Sequence, residues 1–158
     1  MSVEETAYSI SLLAPVSGQI LALEELEDGV FSQRLLGDGI AVRPVDGTIC
    51  APAEGTVGSV LPALHAYTFT TRQGLELLVH VGLDSGRLQG QGFRCFVQPG
   101  ETVKAGQVIA EADLTLMKDR GLRTETMLIL CEGAEACTLK AASGTVLAGE
   151  DAVLTLYR

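Results

Sequence analysis

Glycine does most to limit what this chain can become. Eighteen glycines cut it into short apolar runs, at residues 19–23, 39–42, 55–61, 67–71, 75–83, 107–111, 126–131, 144–147 and 152–157. Runs of this length with almost no 3.6-residue periodicity predict strands joined by tight turns. The expected class is therefore all-β: an antiparallel β-sandwich or flattened barrel, a barrel-sandwich hybrid, with one or two short helical turns. One segment breaks the pattern. Residues 113–121 offer Asp113 as an N-cap, an apolar pair three apart in Leu114 and Met117, and Gly121 as terminator, which predicts one short helix.

Three stretches share a small-x-x-x-Gly-x-aliphatic pattern, at residues 14–20, 51–57 and 141–146, which predicts similar turn-to-strand units within one sheet system. Residues 97–109 add two glycine turns flanking short strands. That segment resembles the loops of biotinyl and lipoyl carriers, but the lysine such carriers present for modification has no counterpart here. At 158 residues and 47% hydrophobic content, the chain can bury one good core. We expect a single domain over 1–158, with its core about 8–158 and residues 1–7 flexible.

The net charge of −9 argues against nucleic acid as a partner, because phosphate binding needs clustered Lys and Arg. An N-terminus of Met-Ser-Val-Glu-Glu-Thr, with no long apolar run behind it, predicts neither a signal peptide nor membrane insertion, and hence a cytoplasmic protein. Cys50, Cys95, Cys131 and Cys137 form no Cys-x-x-Cys pair and read as reduced, partly buried thiols.

The chemistry then concentrates on two histidines, His65 and His80. The two-residue period places Leu75, Leu77, Val79, Val81 and Leu83 on one face of a strand. Glu76, Leu78, His80, Gly82 and Asp84 fall on the other, so His80 points away from the core. The face of His65, shared with Leu61, Ala63, Tyr67 and Phe69, is apolar and fits either core or a surface recess. Imidazole can carry a proton, bind a metal or accept a group covalently near neutral pH.

Ordered blocks across nearly the whole chain carry a family resemblance: Ala14-Pro15-Val16-Ser17-Gly18, Leu36-Gly37-Asp38-Gly39-Ile40-Ala41-Val42-Arg43-Pro44 and Ala51-Pro52-Ala53-Glu54-Gly55. They continue through Leu64-His65-Ala66-Tyr67, residues 77–84, Gly90-Gln91-Gly92-Phe93 and Ser143-Gly144-Thr145-Val146. The chain resembles the glucose-type enzyme IIA domain of the bacterial phosphoenolpyruvate-dependent sugar phosphotransferase system, whose members serve glucose, N-acetylglucosamine, sucrose, trehalose and β-glucoside uptake. The resemblance implies a phosphotransferase component without a cofactor or a metal. His80 would accept the phosphoryl group on Nε2 from the phosphohistidine of the carrier HPr and pass it to a cysteine of the IIB domain of a membrane sugar permease. Gly82 would support it, its carbonyl accepting from the other ring nitrogen. His65 would donate a hydrogen bond to the phosphoryl oxygens, and Asp84 would tune a neighbouring group, move on phosphorylation, or be plainly structural.

Two positions depart from the family pattern. Ala63 stands where threonine usually supports the first histidine, and Ser85-Gly86 where threonine and a small aliphatic residue usually follow the aspartate. The resemblance also implies an apolar docking depression, with Val30, Phe31, Leu61, Phe69, Leu78 and Val81 as candidates, of which Phe69 and Val81 suit the core better. Acidic residues around it would face a basic rim on HPr.

Two rival readings follow from the same residues. His80-x-x-x-Asp84 matches the first zinc-ligand pair of lysostaphin-like peptidases, but no histidine follows His80 to complete three protein ligands. The second is a non-relaying regulator whose phosphorylation state controls partner binding, since a phosphoryl group adds about 1.5 to 2 negative charges.

Overall fold

The computed structural model describes residues 9–133 and 137–157. The expected flexibility of residues 1–7, and the outer limits of the core at 8 and 158, lie outside the described residues. In chain order the elements are β1 (Ser9–Leu13), β2 (Gly18–Ala22), β3 (Asp38–Pro44), β4 (Thr48–Cys50), β5 (Gly55–Val60), β6 (Ala66–Thr71), β7 (Glu76–Leu83) and β8 (Phe93–Cys95). They continue with β9 (Thr102–Val103), β10 (Val108–Ala112), α1 (Leu114–Asp119), β11 (Arg123–Glu132), β12 (Thr138–Ala141), β13 (Thr145–Val146) and β14 (Ala152–Tyr157). Two single 3₁₀ turns, Leu23–Leu26 and Ser85–Leu88, complete the described elements.

The strands form one eight-stranded sheet, in the order β13-β2-β3-β11-β7-β6-β5-β9, and two three-stranded sheets, β1-β14-β12 and β4-β10-β8. Every described pairing is antiparallel. Among the described residues no sheet closes into a barrel, so the sandwich half of the expectation holds. The three repeat segments lead into β2, β5 and β13, all within the large sheet. Sequence patterning did not announce β1, β4, β8 or β12, because strands of three to five residues leave little periodicity to read.

Apolar residues separate to the two faces of the large sheet. Val79, Val81, Leu128 and Val42 face a main core shared with Leu12, Ile49, Ile109 and Leu154 of the smaller sheets. On the opposite face, Met127, Ile129, Ala41 and Leu21 meet Leu23, Leu26 and Phe31 in a second, smaller cluster. The segment after β2 therefore lies as a strap over the back of the sheet. His80 faces the strap side, at the edge of this second cluster.

Helix α1 forms where the sequence predicts it. The Asp113 carboxylate accepts from Leu116 N at 3.0 Å, and Gly121 at φ 76° lets Gly121 N and Leu122 N reach back to Lys118 O and Met117 O. Two expectations are corrected. Leu83 leaves the core face and lies half-buried beside the strap cluster, because Gly82 at φ 81° breaks the alternation of β7. Cys131 is exposed rather than partly buried, at the outer end of β11.

Strand packing is tight enough that one glycine serves space rather than flexibility. A Cβ on Gly39 would stand 2.0 Å from Leu128 O across the β3/β11 ladder. We expect Gly39→Ala to cost about 3 kcal/mol by overpacking, measured as a lowered urea midpoint; an unchanged midpoint would contradict this packing.

Candidate functional site

Three segments distant in sequence converge on His80. It lies in the middle of β7, paired with Met127 on one side and Ala66 on the other. His65 precedes β6 in a tight loop in which Leu64 N donates to Leu61 O at 2.7 Å and the Tyr67 hydroxyl donates to Leu64 O at 2.6 Å. Val81 N donates to His65 O at 2.8 Å, extending the β6/β7 ladder to the histidine itself. The two imidazoles then stand 4.8 Å apart between centroids and nearly perpendicular, at 88°.

From the strap, Phe31 brings its ring to 5.1 Å from that of His80. Asp28 fixes that approach: its carboxylate accepts from Phe31 N at 3.0 Å and Ser32 N at 2.8 Å. Burial raises the Asp28 carboxyl, but these backbone bonds outweigh it and leave the group below its usual range.

Nδ1 of His80 lies 2.9 Å from Gly82 O, two residues along the same strand. The contact is possible because Gly82, at φ 81°, turns its carbonyl back toward the ring. A carbonyl can only accept, so Nδ1 carries the proton and Nε2 keeps its lone pair. Ser85, fully buried, closes the same turn by donating its hydroxyl to Val81 O.

Burial, and secondarily the neighbouring His65, lower the His80 pKa to about 4, against smaller opposing effects from Gly82 O and Asp28. Burial also lowers that of His65. At neutral pH both rings are uncharged, and His80 presents an unprotonated Nε2. That is the state a nitrogen nucleophile needs.

The rings line an open cavity of about 630 Å³ on the strap side. Of the candidate docking residues, Val30 and Leu61 are exposed at its rim, Leu78 is half-buried, and Phe31 is buried yet lines the wall. Phe69 and Val81 do not belong to this surface. Each is 1% exposed and packs in the main core, because period-two alternation sends them through to the far face of the sheet. Leu36, Leu83, Asp28 and Arg123 also line the cavity, and sequence reasoning named none of them as site residues. Leu83 was concealed by the turn at Gly82, and Asp28 and Arg123 arrive from segments that carry no local signature.

Asp84 is exposed at the rim, in the left-handed region at φ 61°. Among the described residues its carboxylate has no hydrogen-bond or ion-pair partner, and only its backbone carbonyl is engaged, by Arg87 N at 3.1 Å. Among the described residues no cluster of three His, Cys, Asp or Glu side chains is arranged to hold a metal ion. No helix among them is long and apolar enough to cross a membrane.

The family model described as phosphoenolpyruvate-dependent sugar phosphotransferase system, EIIA 1, matches residues 10–136. The chain belongs to this EIIA 1 family. It is 36% identical over 157 residues to the PTS system glucose-specific EIIA component of Haemophilus influenzae, covering 99% of this chain and 95% of that protein. The PTS system glucose-specific EIICBA component of Streptococcus pneumoniae is 39% identical over 149 residues, 94% of this chain but 20% of that longer protein. Among solved structures, glucose permease IIA from Mycoplasma capricolum superposes with a TM-score of 0.85 at 34% identity, covering 94% of this chain and 96% of that one.

Within the EIIA 1 family the two departures noted in the sequence have physical counterparts. With Ala63 offering no hydroxyl, the buried Nδ1 of His65 has no hydrogen-bond partner among the described residues. Gly86 leaves no side chain beside His65. Its φ is not positive, and a Cβ there would stand 3.2 Å from Cε1 of His65, so the missing side chain makes room for that ring.

The burial of His80 gives a pH signature. In the unfolded chain the ring protonates near the ordinary 6.5, but in the folded protein near 4, so between those values the unfolded state binds more protons. Stability contributed by His80 is therefore present above 6.5 and lost as pH falls toward 4, on the order of 3 kcal/mol in all. We expect denaturant midpoints to show this slope, and His80→Gln to flatten it relative to the parent; parallel pH profiles would contradict the burial of an uncharged ring.

Proposed function

We propose that this protein is a cytoplasmic phosphoryl-carrier IIA component of a sugar phosphotransferase system. It takes the group from phospho-HPr on His80 and delivers it to a cysteine on the IIB domain of a membrane sugar permease. The observation that carries this reading is the uncharged His80 ring, proton-bearing at Nδ1 and open at Nε2, within a family of phosphoryl carriers. The family evidence does not favour the non-relaying regulator.

The transfer balances without an external acid or base. The Nε2 lone pair of His80 forms a new N–P bond as the donor's N–P bond breaks, and the donor nitrogen keeps the electron pair. The donor ring, protonated on its other nitrogen, leaves as neutral imidazole. His80 becomes a phosphorylated imidazolium whose Nδ1–H still points at Gly82 O, a bond that strengthens as the ring gains positive charge. The second transfer reverses this: a thiolate attacks phosphorus and His80 returns to its neutral form. The protein's contribution is mostly alignment and a dry apolar rim formed by Val30, Leu61 and Leu36.

His65 supports the onward step. With its Nδ1 buried and unpartnered, a proton kept on Nε2 gives the ring a donor for the phosphoryl oxygens as they pass through the transition state. Asp84, unpartnered at the rim, is free to meet a cationic group of a docking partner.

Incubation with phosphoenolpyruvate, enzyme I and HPr should place acid-labile phosphate on the protein, and His80→Ala should abolish it. His65→Gln should still be labelled but deliver the group to a IIB domain about a hundredfold more slowly. Equal loss of labelling in both variants would sink the division of roles.

A further inference from the structure

The cavity that holds the histidines carries three charged side chains on its lining: Asp28, Asp84 and Arg123. A phosphoryl group arriving there brings about 1.5 to 2 negative charges, and both carboxylates repel it. Among the described residues, Arg123 is the one cation lining the space.

Its position is built rather than incidental. Arg123 begins β11 in register with Leu83, and its backbone carbonyl lies 2.9 Å from where a Cβ on Gly82 would be, so the residue is pressed against the turn that orients His80. The guanidinium reaches across to the strap, Nη1 donating to Leu26 O at 2.7 Å. Its Nε and Nη2 form a fork on the Glu125 carboxylate at 3.2 and 3.3 Å. Three of the five N–H groups are used in this way, leaving one on each terminal nitrogen uncommitted. The side chain remains 45% exposed while Glu125 beneath it is 12% exposed, so the carboxylate anchors the guanidinium from below and leaves its outer edge accessible.

We propose that Arg123 is the phosphoryl-binding cation of this site, its two uncommitted N–H groups donating to the equatorial oxygens of the phosphoryl group on His80 and offsetting Asp28 and Asp84. This rests on the reading of His80 as acceptor. Holding the group from the side leaves the line between donor nitrogen, phosphorus and acceptor nitrogen open, which in-line transfer requires. A guanidinium suits the task because its planar fork can grip a carboxylate with one edge and meet phosphoryl oxygens with another.

Phosphoramidate, which phosphorylates imidazole without a protein donor, separates this inference from the relay. Applied to the full chain and followed by ³¹P NMR, it reports the pH midpoint of the phosphoryl group on His80. Arg123→Gln should raise that midpoint by about one unit, Arg123→Lys should largely preserve it, and transfer from phospho-HPr should fall about tenfold in kcat/KM for Arg123→Gln. An unmoved midpoint in Arg123→Gln, with only a lowered melting temperature, would make Arg123 a tie to the strap and overturn the proposal. If phosphoramidate labels His80 but phospho-HPr does not, the relay fails while the midpoints still decide the role of Arg123. If neither reagent labels His80, the acceptor reading falls and this inference falls with it.

Discussion

The site depends on one short contact, from Nδ1 of His80 to the carbonyl of Gly82. It fixes which nitrogen bears the proton and therefore which one keeps a free lone pair. Its geometry requires a backbone that no residue with a side chain adopts comfortably, since Gly82 combines φ 81° with a position where an added Cβ would stand 2.4 Å from Met117 and 2.9 Å from Arg123 O. The same turn moves Leu83 to the cavity side and presents Asp84 at the rim, so one conformational choice at Gly82 sets three features of the site. Ser85 locks the turn from behind with its hydroxyl on Val81 O.

The electrostatic character of the site follows from where the fold places it. A chain with a net charge of −9 would be expected to favour protonated histidines on its surface. Here the two rings are packed against each other, His80 also against Phe31 of the strap and His65 facing Phe93 of the main core, and desolvation outweighs the surrounding acidity. The strap thus helps to keep the His80 ring uncharged as well as covering the back of the sheet. Asp28 holds it in place through backbone bonds and lies close enough to His80 to oppose, without reversing, the effect of burial.

The sequence made some of this legible and concealed the rest for identifiable reasons. Alternation along β7 correctly turned His80 away from the main core, and the capping residues of α1 announced that helix to within a residue. The same rule misplaced Leu83, because a single glycine in the left-handed region reverses the face count after it. Alternation also placed Val81 on the face opposite His80, and the pairing of β6 with β7 and of β7 with β11 sends both Phe69 and Val81 into the main core. Nothing local in the sequence could bring Asp28 and Arg123 to the histidines. That juxtaposition comes from the strap crossing behind β3 and β11, a long-range contact sealed by Arg123 on Leu26 O.

The large sheet ends on β13 at one side and β9 at the other, each only two residues long. A long free edge strand is a template onto which another chain can zip, whereas a two-residue edge offers almost no ladder to extend. The edges of the large sheet are thus blunt, and what this sheet offers to the outside is its side chains more than its backbone.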